Sequence, residues 1–187
     1  MRYLFLACLG LLACSDGPPT TPETRPVEYP NAGNTAIYDV DPDDPYEIDG
    51  NRFLDLRPGE PLSESQYLID AGLVDTEEGQ ADRYHIRGDR NDTLGYLLQP
   101  PGDQQIGNIY ITSPDVVTTN GLRVGVTLAD LRERLGRLEF SRVPYGTAIV
   151  AARDGMGFVL EFYQPDLGAP LPEVPDSIPV QALIILQ

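Results

Sequence analysis

The hydrophobic and polar residues divide the chain into three parts. Residues 3–12 are almost all apolar, residues 15–30 are polar and rich in proline, and short apolar runs alternate with turn residues from residue 45 to the end. The first run is too short to span a bilayer and is typical of a secretory signal peptide. The second part predicts an extended tether, and the third predicts one globular domain.

The apolar residues in the second half of the domain predict one helix clearly. Thr127 is a good N-cap, and Asp130 lies three residues later, at the position that completes a capping box. Three apolar residues then fall on one helical face: Leu128, Leu131 and Leu135. Gly136 follows them and is expected to end the helix, because glycine readily takes the positive φ of a helix C-terminus.

A block of the first half recurs in the second half. Leu56–Glu64 matches Leu122–Asp130, 66 residues later, with Leu, Arg, Gly, Leu and an acid in register. Three pairs of segments follow in the same order: Tyr84–Ile86 with Ala148–Val150, Gly95–Leu98 with Gly157–Leu160, and Ile109–Ile111 with Ile184–Leu186. Four blocks in one order predict a duplicated unit, with repeats at about 45–117 and 118–187.

Each unit is predicted to contain a short strand, one helix and a three-stranded meander. In the first unit Ser63 and Gln66 form a cap similar to that of the second, and two apolar residues precede Gly72. Strand-forming residues follow each helix, and turns such as Asp154-Gly155 separate them. The predicted fold class is therefore α+β, with the helices of both units on one face of an antiparallel sheet.

The end of the apolar leader resembles the lipobox of bacterial lipoproteins. Leu11-Leu12-Ala13-Cys14 has a small residue before the expected cut and a thiol after it to accept the diacylglyceryl group. The resemblance implies a signal peptide at 1–13, a lipidated Cys14 that begins a tether over 14–44, and a domain at 45–187. Cys8 would be discarded with the leader. The alternative is that Cys14 is a buried thiol or forms a disulfide with Cys8.

A second resemblance lies in the domain. Gly125–Leu131 with Leu135-Gly136 resembles a signature of the SmpA/OmlA family of small outer-membrane lipoproteins and of β-lactamase-inhibitor-protein-like tandem modules. Ile109–Ile111 and the turn Thr118–Gly121 before it resemble a pattern of many uncharacterised lipoproteins. Ser15, not aspartate, follows Cys14, which by the enterobacterial sorting rule implies the outer membrane. Motifs that form a turn and a cap specify shape and leave function open.

The net charge of the chain restricts the classes of partner that it is expected to bind. Thirteen basic residues, all arginine, face 29 acidic ones, and the net charge is −16. Nucleic acids and anionic lipid surfaces need a basic footprint, so neither is predicted as a partner. The acidic segment 39–49 superficially resembles a calcium loop, but it lacks the glycine and glutamate at the sixth and twelfth loop positions. A solvated acidic run is preferred, and calcium binding there stays open.

Little in the sequence indicates catalysis. His85 is the only histidine, and no nucleophile elbow, P-loop, dinucleotide fingerprint or zinc ligand set accompanies it, so no catalytic residue, cofactor or metal is predicted. The favoured function is a non-catalytic binding or scaffold module for another envelope protein, and the alternative is a carboxylate-dependent envelope hydrolase. The proline-rich loop Pro165–Pro179 is either a recognition element or a solvated connector.

The lipoprotein interpretation predicts that Cys14→Ser abolishes lipid attachment, because no other part of the sequence is expected to hold a membrane. Cells that express the variant should show an unprocessed or soluble protein without label after growth in a radioactive fatty acid. Equal incorporation by the variant and the parent chain would contradict the prediction.

Overall fold

The computed structural model describes residues 44–76, 79–142, 149–160 and 173–187. The predicted signal peptide, Cys14 and the tether up to residue 43 lie outside these described residues. Within them, no helix is both long and apolar enough to cross a membrane.

The described residues form eleven strands and one α-helix. The strands are β1 Tyr46–Asp49, β2 Arg52–Phe53, β3 Leu68–Thr76, β4 Gly79–Arg87, β5 Thr93–Gln99, β6 Ile109–Ile111, β7 Val116–Thr118, β8 Glu139–Arg142, β9 Ile149–Arg153, β10 Met156–Leu160 and β11 Val180–Ile185. The helix α1 covers Leu128–Leu135, and one turn of 3-10 helix covers Leu62–Glu64.

Eight of the strands form one antiparallel sheet. Its order is β3-β4-β5-β6-β11-β10-β9-β8, so two four-stranded meanders run inward from opposite edges and meet at β6 and β11. Tyr110 of β6 lies opposite Ile184 of β11 at the middle of this central pair. A smaller sheet has the order β2-β1-β7, and β1 and β7 are parallel.

The main core lies between the inner face of the large sheet and a layer that contains the small sheet and α1. Successive side chains of a strand point to opposite faces of the sheet, so every second side chain of each strand points toward the core. The large sheet contributes Ile86, Leu97, Ile109, Phe158 and Leu183 to the core, the small sheet contributes Ile48 and Val116, and the helix contributes Leu128 and Leu131. All of these side chains are almost completely buried.

The segments that lead into the 3-10 helix and into α1 form matching backbone hydrogen bonds. Gly59 and Gly125 have positive φ, 88° and 96°. The Gly59 amide donates to the Ile106 carbonyl at 2.6 Å, and the Gly125 amide donates to the Val180 carbonyl at 2.8 Å. Each half has two more bonds at matching positions. In the first half, the Leu62 amide donates to the Gln104 carbonyl and the Ile106 amide donates to the Glu60 carbonyl. In the second half, the Leu128 amide donates to the Ile178 carbonyl and the Val180 amide donates to the Val126 carbonyl. The repeat boundaries stay a prediction.

The helix predicted in the second half is confirmed. Thr127 is its N-cap, with a side chain that accepts from the Asp130 amide at 3.3 Å, and Asp130 Oδ2 accepts from the Thr127 amide at 2.7 Å. This is the reciprocal capping box that the sequence predicts. The helix ends at Gly136, which has a φ of 73°.

The predicted α+β class is wrong, because the chain is mostly β. The region expected to form the first helix, from Ser63 to Gly72, contains one 3-10 turn and then enters β3. The described residues therefore hold one α-helix on the inner side of the sheet, where the duplicated unit predicts two.

Local hydrogen bonds compete with a helix after residue 62. Ser65 Oγ donates to Asp55 Oδ1 at 2.7 Å, and the Gln66 amide donates to Asp55 Oδ2 at 3.3 Å. The Tyr67 amide donates to Ser65 Oγ at 3.2 Å. These bonds take up amides and a hydroxyl that could otherwise serve as a helix N-terminus. Asp55 precedes the apolar residues from which the first helix was predicted, so those residues do not indicate that Asp55 competes with the helix.

Gly72, expected to stop a helix, instead forms a bulge in the edge strand β3. The register between β3 and β4 shifts between Asp70 and Gly72, and Gly72 has a φ of 80°. Asp70 Oδ1 accepts from the Gly72 amide at 2.7 Å. The bulge and this carboxylate interrupt the row of free backbone groups along the edge.

The close contact of β5 with β6 predicts that Gly95→Ala is strongly destabilising. A Cβ at Gly95 would overlap the Tyr110 carbonyl oxygen, and the backbone of a central strand cannot move aside. We expect a loss of at least about 2 kcal/mol in the free energy of unfolding, measured by urea denaturation.

Gly107→Ala is the matched control for Gly95→Ala. A Cβ at Gly107 would meet only Gln99 Oε1, at an ordinary contact distance of 3.8 Å. Its unfolding midpoint should stay close to that of the parent chain. Similar midpoints for both variants would refute the close contact between the strands.

Candidate functional site

The outer face of the large sheet, which points away from the main core, carries one row of residues across all eight strands. The strand registers place these residues opposite one another in turn: Ile69, His85, Tyr96, Tyr110, Ile184, Gly157, Ala152 and Glu139. A second, smaller apolar cluster forms on this face around Tyr110, Val150 and Ile184. The outer face is therefore apolar at its centre and polar at the β8 end.

The centre of the outer face is closed to a partner. Tyr110 is 3% exposed and Ile184 is fully buried. The Tyr96 ring stacks on the Tyr110 ring with a centroid separation of 5.0 Å, and the Arg83 guanidinium lies 4.8 Å from the centroid of Tyr96. Burial raises the pKa of the Tyr96 hydroxyl, and the positive charge of Arg83 opposes part of that shift. The accessible parts of this face are its two flanks.

The β8 flank contains an open pocket of about 490 Å³. Ala152 and Leu186, which pack against the outer apolar cluster, form its apolar part. Its charged lining comes from the start of β8 and from the β9–β10 hairpin: Arg137, Glu139, Arg153 and Asp154. The pocket therefore presents charged groups of both signs around a small apolar floor. We call it the polar pocket.

Arg153 is held between the end of α1 and the β9–β10 hairpin. Its Nη1 donates to the carbonyls of Leu135, the last residue of the helix, and of Arg137, the latter at 3.2 Å. Its Nε donates to Asp154 Oδ2, also at 3.2 Å. A cation at a helix C-terminus is favourable because the terminal carbonyls carry partial negative charge. These contacts fix the plane of the guanidinium.

The turn that carries Arg153 and Asp154 is set by local sequence. Asp154 and Gly155 both have positive φ, 52° and 80°, as the two central residues of a type I′ turn require. Arg153 and Met156 pair on either side of them. Aspartate followed by glycine is among the residue pairs that best tolerate this conformation, so the hairpin places the wall of the pocket without long-range help.

A second pocket lies on the other side of Arg153 and Asp154. Its volume is about 160 Å³, and it shares these two residues with the polar pocket. Its apolar walls include Leu122, Leu135 and Phe158, all of which belong to or pack against the main core. We call it the apolar pocket. Thr119 and Asn120 of the turn after β7 lie at its polar rim.

The candidate residues suggested by the sequence lie elsewhere. His85 lies on the outer face between Ile69 and Tyr96, partly exposed, on the half of the sheet opposite the polar pocket. Of the acidic segment 39–49, the residues up to 43 are outside the described part. Asp44 forms an ion pair with Arg123 at 3.1 Å, and the other acids of the segment are exposed on β1. No cluster of three potential metal ligands occurs in the described ranges.

The described end of the proline-rich loop is a structural part of the domain. Residues 165–172 of the loop lie outside the described residues. From residue 173 onward, Val174 is buried and Ile178 packs against the main core. The carbonyls of Asp176 and Ile178 accept from the amides of Ala129 and Leu128, both at 2.9 Å. This part of the loop completes the N-terminus of α1, so it is more than a solvated connector.

Arg137 and Arg153 are the site residues that sequence reasoning missed. The Asp154-Gly155 turn is visible in the sequence, but nothing local indicates that Arg153 reaches the end of α1, 18 residues earlier in the chain. A signal was present in the distribution of charge. Residues 132–154 hold five arginines and three acids, whereas the rest of the chain holds eight arginines and 26 acids.

Comparisons with known proteins give little further information. No family model matches the chain, and no curated protein matches it. Among solved structures, the chain is similar to the crystal structure of the uncharacterized protein yfeY from Escherichia coli, with a TM-score of 0.48 and 16% sequence identity. The match covers 74% of this chain and 95% of that one. A similarity this low assigns neither a fold nor a function.

The contacts of the loop predict that replacing Gln164–Ile178 by a four-residue turn destabilises the domain. The change removes two carbonyl acceptors of α1 and the buried side chain of Val174. We expect a loss of at least about 2 kcal/mol in the free energy of unfolding, measured by denaturation.

Asp176→Ala is the control, because it removes only an exposed ion pair with Arg132 and should cost less than about 1 kcal/mol. Equal stability of the shortened and parent chains would show that the loop is a dispensable connector.

Proposed function

We propose that the chain is a lipid-anchored protein of the bacterial outer membrane whose domain binds another envelope protein and is not catalytic. The apolar leader and the lipobox-like residues before Cys14 support the anchor. The proline-rich residues 15–30 support a tether that holds the domain away from the bilayer. A tethered domain in a fixed compartment meets a restricted set of partners at high effective concentration.

One observation carries the binding function: the polar pocket, whose charged side chains are exposed on a firmly held corner of the sheet. Arg137 and Glu139 are exposed on the segment that enters β8, and Arg153 is held by the end of α1 and by the hairpin. Because Arg153 is already oriented by these contacts, it would lose little side-chain entropy on docking, which favours binding at this corner.

A hydrolase is the second candidate, and it is favoured by one feature of the same pocket. Glu139 and Asp154 both line it, and two facing carboxylates are the usual machinery of glycoside hydrolysis. A general acid needs surroundings that favour its protonated form. The Asp154 side chain is 86% exposed and pairs with the Arg153 cation, and Glu139 is also exposed. Binding is therefore the better supported function.

In-cell photo-crosslinking tests the binding function. A benzophenone amino acid placed at Glu139 should capture a discrete envelope protein in living cells, because this position borders the polar pocket. The same amino acid at Glu64, an exposed glutamate on the 3-10 helix of the other half, is the matched control. The expected result is a crosslinked band that is at least tenfold stronger from position 139. No band from either position would contradict the proposal.

The anchor and the hydrolase alternative are tested alongside. Cys14→Ser should reduce the crosslinked band because the chain leaves the membrane, whereas Cys8→Ser should leave both lipid labelling and the band unchanged. Release of reducing ends from purified envelope polysaccharide, abolished by Glu139→Gln, would instead favour the hydrolase.

A further inference from the structure

The polar pocket and the apolar pocket share Arg153 and Asp154, so they lie on either side of one wall. We propose that they form a single recognition site for a partner segment that carries an apolar side chain close to a carboxylate. The apolar side chain would enter the apolar pocket, and the carboxylate would bind in the polar pocket. This inference rests on the proposed binding function and specifies the partner chemistry for it.

Arg137 is the group that would bind the carboxylate. It is exposed, it lines the polar pocket, and within the described part of the chain it forms no ion pair. Arg153 is already bound to the end of α1 and to Asp154, so its role is to form the wall. A guanidinium matches a carboxylate in charge and in planar geometry, and can bind it through two parallel hydrogen bonds.

The local charge supports an acidic partner segment. Among the described side chains of residues 132–154, four arginines stand beside three acids, so this part of the chain has a small excess of positive charge in a chain whose net charge is −16. An acidic segment would be repelled less by this corner than by most of the domain surface, and Arg137 gives it a cation to bind. Such an arrangement restricts the orientation of docking as well as the choice of partner.

The apolar pocket has the features of an anchor site. Leu122 and Phe158 in its wall are almost fully buried, and Leu135 packs against the same core, so the wall cannot collapse into the space easily. A volume of about 160 Å³ suits one aliphatic or aromatic side chain. In protein interfaces, single side chains in such well-packed pockets contribute most of the binding free energy.

A defined peptide set tests the site. The probes are terminally blocked octapeptides in a glycine-serine background, each with one leucine or phenylalanine and one aspartate or glutamate at every relative spacing. Binding to the full chain in detergent is measured by fluorescence anisotropy. We expect at least one spacing to bind tenfold more tightly than two counterparts of the same spacing, one with the acid changed to its amide and one with the apolar residue changed to serine.

Variants of the chain assign the two pockets. Arg137→Glu should weaken the best acidic probe at least tenfold and should improve binding of a probe with lysine in place of the acid. Arg57→Glu, the same charge reversal at another exposed arginine, is its control. Thr119→Trp should fill the apolar pocket and weaken the same probe. Thr112→Trp should not, because Thr112 is an exposed threonine after β6 that lines neither pocket.

The outcomes separate this inference from the proposed function. No preferred probe, or a preferred probe that is insensitive to Arg137→Glu and to Thr119→Trp in chains with unchanged unfolding midpoints, would overturn the two-pocket site. If position 139 still captures an envelope protein in cells, the binding function stands and only the partner chemistry is wrong.

Discussion

The structure depends on the antiparallel pairing of β6 with β11. This contact is three residue pairs long, and its middle pair joins Tyr110 to Ile184, which are separated by about half of the domain sequence. Each meander beside it could form from neighbouring strands, but only the central pair turns two four-stranded pieces into one eight-stranded sheet. The main core and the outer cluster both cross this line, since Ile109, Ile111 and Leu183 pack on one side and Tyr110 and Ile184 on the other. A contact between such distant segments is slow to form and is stabilised by burial on both faces.

The two faces of the sheet have different consequences for function. The inner face is covered by α1 and the small sheet, and the centre of the outer face is buried as well. Only the ends of the sheet therefore remain for recognition among the described residues. At the β8 end, one arginine joins the helix terminus to the hairpin, so the same contacts that stabilise the second half of the domain also orient the wall between two pockets. Arg153 thus stabilises the fold at this corner, and the proposed recognition would use the same side chain.

Local features were the part of the fold that the sequence could predict. The capping box of α1, its end at Gly136 and the Asp154-Gly155 turn depend on residues within a few positions of one another, and the structure contains all three. The first helix was predicted wrongly because Asp55 bonds to Ser65 and Gln66 and diverts the chain before a helix can begin. The candidate site could not be predicted, since Leu122, Leu135 and Arg153 meet only when the segment after β7, the helix and the β9–β10 hairpin pack together.

The bulged edge strand β3 has a consequence for how copies of the chain coexist. A long, regular edge strand invites a second molecule to extend the sheet, and Ile69 and Leu73 on β3 are exposed apolar residues that would add to the attraction. The proposed membrane anchor would raise the local concentration of such edges far above that of a freely diffusing protein. The bulge at Gly72 and the carboxylate of Asp70 interrupt the edge, so that each regular stretch is too short for stable intermolecular pairing. Copies of the chain at high local concentration can thus coexist without aggregating into continuous sheets.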